Sequence, residues 1–379
     1  MKATPPQPRT FDAIVIGGGA AGIGVAIALK DAGLENYVVL EGQTVGASFE
    51  AWPAETRFIT PSFPTNSIGM LDINSIAIGI SPAYALDTEH PTGQQYAMHL
   101  REVAGFFKVP VLENTRVLRV TPVGDDFRVD TEEQTLRAKH VVWAAGEFQY
   151  PRLNAFTGSE HCRHTATLAS YDELQGDDFV VIGGYESGID AAYHLALRGK
   201  RVRLFDMGCP WEADTSDPSK ALSTYSLERM RDERFEERVE LFPHTPVMRV
   251  SRSAGKQVLY QVKTLDEELF ECSTAPLLAS GFDGSHKLVQ HLFEDREDGF
   301  PLLSEHDEST ITPGLFLCGA AVRHQNHVFC FIYKYRQRFA VVAKAIATAL
   351  DLPAERLETY RSWGMYLDDL SCCGKECVC

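Results

Sequence analysis

Two glycine-rich turns, each joining an apolar strand pattern to a helical one, constrain the fold of this chain more than any other feature. The first turn, residues 17–22 with the sequence GGGAAG, follows the apolar run 11–16 and precedes a helical stretch. In such a strand–turn–helix unit, Gly17 permits the tight bend, Gly19 lets the backbone approach a pyrophosphate and Gly22 lets the helix pack closely on the strand. The anion then lies at the N-terminus of the helix.

An acidic residue completes this dinucleotide-binding pattern. Glu41 follows the next apolar stretch, residues 37–40, and is placed to accept hydrogen bonds from an adenosine ribose. A lone glycine pattern would be weak evidence, and a plain glycine turn is the alternative. Because strand, turn, helix, second strand and acid all agree, we predict that the first turn binds a dinucleotide.

The second turn, residues 183–188 with the sequence GGYESG, repeats this plan with one change. It follows the apolar run 179–182 and keeps Gly183 and Gly188. Tyr185, however, replaces the glycine that would let the backbone approach a pyrophosphate. A Rossmann domain that binds no nucleotide is therefore an open alternative at this turn.

Asp206 matches Glu41 in position and determines the predicted nucleotide preference. A carboxylate there would accept hydrogen bonds from a free ribose 2′-hydroxyl and repel a 2′-phosphate, which favours NADH over NADPH. The predicted nicotinamide contacts are Gly183, Gly184, Tyr185, Glu186, Ser187, Gly188 and Asp206.

The rest of the chain continues the alternation of short apolar strands and helices that is typical of buried parallel sheets. Apolar strands ending in small residues recur at 141–146, 277–283 and 314–320, and a helical stretch follows. We predict an α/β fold with two Rossmann-like domains. The predicted limits are residues 1–148 and 276–350 for the first domain, 149–275 for the inserted second domain and 351–379 for a C-terminal tail.

Charge and composition exclude several classes of partner. Among 379 residues, 52 acidic and 36 basic side chains give a formal net charge of −16, which repels phosphate backbones and anionic membrane surfaces. The first ten residues lack an apolar stretch of signal-peptide length, and no apolar run approaches a membrane span. We therefore expect a soluble, cytoplasmic protein that binds neither nucleic acid nor membrane.

The order of these motifs resembles that of flavoproteins with two dinucleotide-binding domains, from Phe11 to about Leu370. It is similar to bacterial flavin-containing monooxygenases and to thioredoxin-reductase-like pyridine nucleotide-disulfide oxidoreductases. The resemblance implies that the first domain binds FAD and the inserted domain binds NADH or NADPH. The FAD contacts that it implies, together with those of the first turn, are Gly17, Gly19, Ala20, Ala21, Gly22, Glu41, Ser48, Phe49, Trp52, Val117, Ala145, Gly146 and Gly319.

The chain departs from the family patterns at two places that bear on the reaction. A monooxygenase fingerprint, Phe-x-Gly-x-x-x-His, is met by Phe156 and Gly158, but Cys162 occupies the histidine position. No cysteine precedes Cys162, and the sequence contains no Cys-x-x-Cys. A redox disulfide at either place where related disulfide reductases carry one is thereby excluded.

Four thiols are concentrated in the last eight residues, at Cys372, Cys373, Cys377 and Cys379. Thiolates are soft metal ligands and good nucleophiles, so this cluster is a candidate site for Zn or Cu(I) or a mobile dithiol relay. A tail with incidental thiols is the alternative.

His324 and His327 are candidate acid–base groups, because they lie between the Gly319 turn and the last helix. Loop histidines that contact backbone are the alternative. We predict an FAD-dependent NAD(P)H oxidoreductase with a small-molecule substrate, similar to flavin-containing monooxygenases. Two alternatives stay open, a reductase of low-molecular-weight disulfides or thiol-bound metal that uses the tail thiols, and a non-enzymatic flavin-bound redox sensor or metal-handling protein. A homodimer is also left open.

Overall fold

The computed structural model describes residues 9–64, 70–215, 217–253 and 258–371. The first part of the chain forms, in order, β1 (Thr10–Ile16), α1 (Ala20–Asp31), β2 (Tyr37–Leu40), α2 (Ala47–Glu50), α3 (Pro82–Leu86), α4 (Gly93–Phe106), β3 (Val111–Leu112), β4 (Val117–Val123), β5 (Asp126–Thr131) and β6 (Thr135–Trp143).

The middle part forms β7 (Arg163–His164), β8 (Asp178–Ile182), α5 (Glu186–Leu197), β9 (Arg201–Phe205), α6 (Thr224–Met230), α7 (Glu233–Arg238), β10 (Val239–Phe242), β11 (Val247–Arg252), β12 (Tyr260–Thr264), β13 (Leu269–Cys272) and β14 (Leu277–Leu278). The last part forms β15 (Glu294–Asp295), β16 (Pro301–Leu302), β17 (Leu315–Leu317), β18 (Arg323–His324), β19 (His327–Val328), α8 (Ile332–Tyr335), α9 (Phe339–Ala349) and a 3₁₀ helix (Glu355–Trp363). Short 3₁₀ turns occupy Ser159–His161, Thr165–Thr167, Tyr171–Glu173, Pro210–Glu212, Ser285–Leu288, Gln290–Leu292 and Arg336–Arg338.

The first sheet contains five parallel strands in the order β3-β2-β1-β6-β17. Strand β5 pairs antiparallel with β6, and β4 pairs antiparallel with β5. Ile16 is in register with Leu40 and Trp143, and Trp143 is in register with Leu317. Three strands of this sheet, β1, β6 and β17, therefore end together. The turns that follow them meet at the carboxyl edge, where open α/β sheets bind ligands.

Helix α1 packs between this sheet and α9. Its residues from Ala20 to Leu29 are all buried, because the helix is covered on both sides. A Cβ atom added at Gly24 would overlap the ring of Phe339, which is fully buried. The small residue at this position therefore sets how closely α1 and α9 approach.

The second sheet is parallel, in the order β10-β9-β8-β14-β7. Alternate residues of β8 face opposite sides, as expected of a strand buried on both faces. Phe179 and Val181 belong to the apolar cluster on the α5 side, whereas Val180 and Ile182 pack with the antiparallel strands β11 to β13. Strand β14, directly after the predicted boundary at residue 276, pairs with this second sheet, and the domain limits themselves stay a prediction.

Residues 355–366, predicted from the sequence as part of a tail, pack on the first core. Leu357, Tyr360 and Met365 are buried there, and the Tyr360 hydroxyl donates to Asp31 Oδ2 at 2.8 Å. The apolar side chains at these positions account for the packing. In the described part of the chain, no helix combines the length and apolar character needed to cross a membrane.

Candidate active site between two glycine turns

The first glycine turn has the geometry of a pyrophosphate site. Gly17 adopts a φ of +108°, and a Cβ atom there would lie 2.5 Å from the carbonyl oxygen of Ala144. A Cβ atom at Gly22 would overlap the carbonyl oxygen of Gly17. At Gly19, in contrast, a Cβ atom would meet no atom within 4 Å. The N-terminus of α1 is thus open on the side where an anion would lie.

Glu41 lies beside this turn with both carboxylate oxygens oriented by backbone. Its Oε2 accepts a hydrogen bond from the Gly18 N–H at 2.6 Å, and its Oε1 accepts one from the Gln43 N–H at 2.8 Å. Each oxygen retains acceptor capacity for a ribose hydroxyl. The Thr115 N–H donates to the Glu41 carbonyl at 2.7 Å, which brings the start of β4 and Val117 to the same end of the sheet. The first turn and Glu41 therefore fit FAD.

A cavity of about 360 Å³ opens in front of the first turn. The residues predicted to contact FAD that line it are Gly19, Ala20, Ala21, Ser48, Phe49, Trp52, Gly146 and Gly319. The remaining predicted FAD residues lie outside the lining. Gly17 and Gly22 shape the turn, Glu41 and Val117 lie at the ribose end, and the Ala145 carbonyl accepts a hydrogen bond from the Gln149 side chain.

The walls of this cavity are mostly apolar and aromatic, as is typical of cofactor sites. The Trp52 ring lies 6.3 Å from that of Phe148, which lies 5.4 Å from that of Phe282. These rings lead from the first sheet towards the second. Neither Phe148 nor Phe282 was predicted as a site residue, since both lie outside the helices and the sheets of the fold.

The second glycine turn repeats the backbone of the first. Gly183 has a φ of +103°, and a Cβ atom at Gly188 would overlap the Gly183 carbonyl oxygen. Asp206 Oδ2 accepts from the Gly184 N–H at 2.6 Å, and its Oδ1 accepts from Gly208 at 2.7 Å, as Glu41 accepts from the first turn. The two turns are therefore built alike. Glu186 and Ser187, which correspond to Ala20 and Ala21, line the same cavity.

Tyr185 is accommodated in the backbone of the second turn, and its side chain contacts the segment that lies over this turn. Its backbone (φ −84°, ψ −167°) matches that of Gly19 (φ −83°, ψ −169°), so a side chain is tolerated here without strain. The Tyr185 hydroxyl lies 3.0 Å from the Pro218 carbonyl oxygen and 2.9 Å from that of Ala221. Burial raises the pKa of Tyr185, so the hydroxyl stays protonated and can donate.

We call residues 217–226 the covering segment, because they lie over the second turn. Glu186 accepts from the Ser223 N–H at 2.6 Å, from the Ser223 hydroxyl at 3.1 Å and from the Ser226 hydroxyl at 2.5 Å. Lys334 Nζ, on α8, lies 3.1 Å from Asp217 Oδ1 and 2.8 Å from Ser219 Oγ. The covering segment is therefore held against the side chains of Tyr185 and Glu186 at the second turn.

A buried polar cluster joins the two halves at the cavity wall. Asp190 Oδ2 accepts from the Thr56 hydroxyl at 2.7 Å, and Asp190 Oδ1 accepts from Arg229 Nη1 at 2.5 Å. Burial acts to raise the pKa of Asp190, but the neighbouring His194, whose Nε2 lies 3.4 Å from Asp190 Oδ1, and the charge of Arg229 bring it to about 2. Asp190 is therefore a paired, ionised structural group.

Neither predicted histidine lines this cavity. His324 Nε2 lies 2.5 Å from Asp307 Oδ1, and Asp307 is also bound by the guanidinium of Arg338. His327 is buried beside Phe329, and burial lowers its pKa. Asp307, fully buried, thus holds His324, which is not among the residues that line the cavity.

Two thiols do line the cavity, those of Cys318 and Cys330. The predicted metal or relay cysteines, Cys372, Cys373, Cys377 and Cys379, lie outside the described residues. Within the described ranges, no three His, Cys, Asp or Glu side chains are grouped so that they could hold a metal ion.

Two carboxyl groups in the lining, those of Asp190 and Glu147, were not predicted from the sequence. Glu147 directly follows the predicted turn 144–146, and this position was the available signal.

Two Rossmann-like sheets, each with a glycine turn, and one cavity shared by both turns define an FAD-dependent oxidoreductase of the two-dinucleotide class. The chain belongs to the pyridine nucleotide-disulphide oxidoreductase family, which matches residues 14–319. Membership in this family implies FAD and NAD(P)H, and it supports an enzyme over the non-enzymatic alternative.

Individual relatives agree with the fold. Bacilliredoxin reductase Bdr of Bacillus subtilis is 24% identical over 329 residues, which cover 84% of this chain and 92% of the relative. The solved bacillithiol disulfide reductase Bdr (YpdA) of Staphylococcus aureus superposes with a TM-score of 0.73 and 19% identity, covering 90% of this chain and 99% of that one. A flavin-containing monooxygenase from Stenotrophomonas maltophilia gives a TM-score of 0.71 and 17% identity, with the same coverage. At these sequence identities, the similarity to the solved structures shows the fold alone.

Proposed function

We propose that this chain is an NADH-dependent FAD oxidoreductase whose acceptor is a low-molecular-weight disulfide. The single observation that carries the proposal is the shared cavity, in which Ala20 and Ala21 of the first turn and Glu186 and Ser187 of the second line one space. FAD supplies two-electron chemistry, taking a hydride from a reduced nicotinamide and passing the electrons on. A continuous space between the turns is what such a transfer requires.

The protein residues bind, orient and exclude water. The N-terminus of α1 would hold the pyrophosphate of FAD, Glu41 would hold its ribose, and the aromatic wall that includes Phe49 and Trp52 would shield its ring system. At the second turn, Asp206 would accept from the ribose of NADH after the covering segment has moved.

The loop that follows Asp206 supports NADH rather than NADPH. From Met207 to Ser223 it contains three acids, at Glu212, Asp214 and Asp217, and a single basic residue, Lys220. A 2′-phosphate there would face mainly like charge.

The choice of acceptor rests on the relatives. The Bacillus subtilis protein that matches 84% of this chain is named a bacilliredoxin reductase, which supports a disulfide as acceptor. Oxygen, the acceptor of a monooxygenase, is the second candidate and draws on the fold similarity and on Phe156 and Gly158. These two residues give little support to oxygen as the acceptor, because packing alone accounts for them. Phe156 packs against the second sheet, and a Cβ atom at Gly158 would overlap the Val250 carbonyl oxygen.

Anaerobic single-turnover kinetics tests the proposal. Protein reduced with one equivalent of NADH is mixed with cystine, with glutathione disulfide or with oxygenated buffer, and flavin absorbance is followed. Reoxidation by a disulfide that is faster than by oxygen supports the disulfide reductase, and reoxidation by oxygen alone contradicts it.

The tail thiols are tested by deleting residues 371–379. If Cys372, Cys373, Cys377 and Cys379 form a relay, the deletion abolishes turnover with disulfides and leaves FAD bound and oxygen consumption intact. If they bind Zn or Cu(I), elemental analysis detects metal in the full chain and none after deletion. Equal turnover and equal metal content in both proteins contradict both roles. A cytoplasmic location and a homodimer belong to the same proposal and are tested by fractionation and by light scattering.

A further inference from the structure

Three carboxyl groups line the cavity between the turns, and one of them differs from the others. Glu186 is bound by Ser223 and Ser226, and Asp190 by Thr56 and Arg229. The carboxyl group of Glu147 makes no hydrogen bond and no ion pair with any residue in the described ranges. Among the described residues, therefore, none holds this carboxyl group in place through a hydrogen bond or an ion pair.

An unpaired negative charge on Glu147 would be energetically unfavourable in its surroundings. It precedes Phe148 and shares the cavity lining with Phe331 and Cys330. The groups that interact with it through space are Arg323, Cys330 and Tyr335. The Arg323 guanidinium is engaged elsewhere, because its Nη1 donates to the Ala320 carbonyl at 2.7 Å and it stacks 4.0 Å from the centroid of the Phe300 ring.

Burial raises the pKa of Glu147, and Arg323 only partly opposes this shift. Burial also raises the pKa values of Cys330 and Tyr335, so both stay neutral. A carboxyl group with a raised pKa that faces a cofactor cavity is the arrangement that general acid catalysis uses.

We propose that Glu147 is a catalytic residue, the general acid that protonates the acceptor when reduced flavin is reoxidised. This inference rests on the proposed function. A disulfide takes up a hydride from the reduced flavin and a proton from Glu147, the S–S bond breaks and two thiols leave. The Glu147 carboxylate then regains a proton from solvent, and the same balance converts oxygen to hydrogen peroxide.

The first test uses oxidised protein and needs no turnover. A carboxyl group that ionises beside the flavin perturbs its absorbance, so a pH titration of wild type should show a spectral step above the usual glutamate range. Glu147→Gln should lack this step. Glu297→Gln, at an exposed glutamate outside the cavity, should retain it. A step that survives in Glu147→Gln overturns the proposal.

The second test measures the role of Glu147 independently of which nicotinamide reduces the flavin. Protein is reduced with dithionite instead of NADH and reoxidised with glutathione disulfide in a stopped-flow instrument. Glu147→Gln should reoxidise about 100-fold more slowly, in line with general acid catalysis, and Glu147→Asp should recover part of the rate. Reoxidation of Glu147→Gln at the wild-type rate overturns the role of Glu147. Failure of NADH to reduce wild type overturns only the proposed donor.

Discussion

The ammonium group of Lys334 lies 3.1 Å from Oδ1 of Asp217, and this ion pair fastens the covering segment to α8. Lys334 is 4% exposed and Asp217 is 9% exposed, so the pair is screened little by solvent. The second glycine turn is thereby closed by a contact between the two halves of the chain.

Releasing this pair should improve NADH binding. In the double variant Lys334→Met/Asp217→Asn no buried charge is left unpaired, and the covering segment should open more often. Because apparent affinity scales with the fraction of competent protein, the apparent Kd for NADH should fall by up to about tenfold. Titration of flavin reduction measures this, with the exposed pair variant Lys344→Met as control. A Kd that is unchanged or higher contradicts the closing role.

Glu41→Ala should weaken FAD retention. Hydrogen bonds to a charged group contribute roughly 1.5–3 kcal/mol, so the Kd for FAD should rise about tenfold or more. Equilibrium dialysis of the FAD-loaded protein measures it, and Glu35→Ala, at an exposed glutamate that precedes β2, should leave the Kd unchanged. Equal retention of FAD by both variants would remove Glu41 from the site.

The two turns could be predicted from the sequence because the tasks of Gly17, Gly22, Gly183 and Gly188 are local. Each glycine is required by atoms of its own strand–turn–helix unit or of the adjacent strand. The position of His324 outside the cavity lining could not be predicted, since His324 is paired with Asp307, which Arg338 in turn binds from another element. The covering segment could not be predicted either, because its contacts with Tyr185 and Lys334 join residues that are distant in the sequence.

Asp206 should make NADH a better reductant than NADPH. A 2′-phosphate against this carboxylate costs roughly 1–4 kcal/mol, so the ratio of kcat/KM values should favour NADH about tenfold or more. Asp206→Ser should reduce the ratio, since the charge is lost while a hydroxyl remains for the Gly184 N–H. Steady-state kinetics with both nucleotides measures this ratio, and a wild-type preference for NADPH would show the inference wrong.

Asp190→Asn should destabilise the fold, because it leaves the buried guanidinium of Arg229 without its charge partner. Breaking a buried pair costs roughly 3–5 kcal/mol, which urea unfolding would detect. Asp172→Asn, at an exposed carboxylate that pairs with Arg198, should cost less than about 1 kcal/mol. The pKa of Asp190 is lowered from 3.8 to about 2, so its stabilisation is present above pH 3.8 and disappears as pH falls through 2. Equal unfolding free energies for the two variants would contradict the pairing.

We expect one cavity to connect a flavin at the first turn with a nicotinamide at the second. Anaerobic mixing of FAD-loaded protein with NADH in a stopped-flow instrument tests this most directly. The visible absorbance of the flavin should disappear in a single turnover, with a rate that saturates as the NADH concentration increases. Protein that retains FAD but shows no loss of absorbance with NADH or NADPH, in wild type and in Lys334→Met/Asp217→Asn alike, would contradict it.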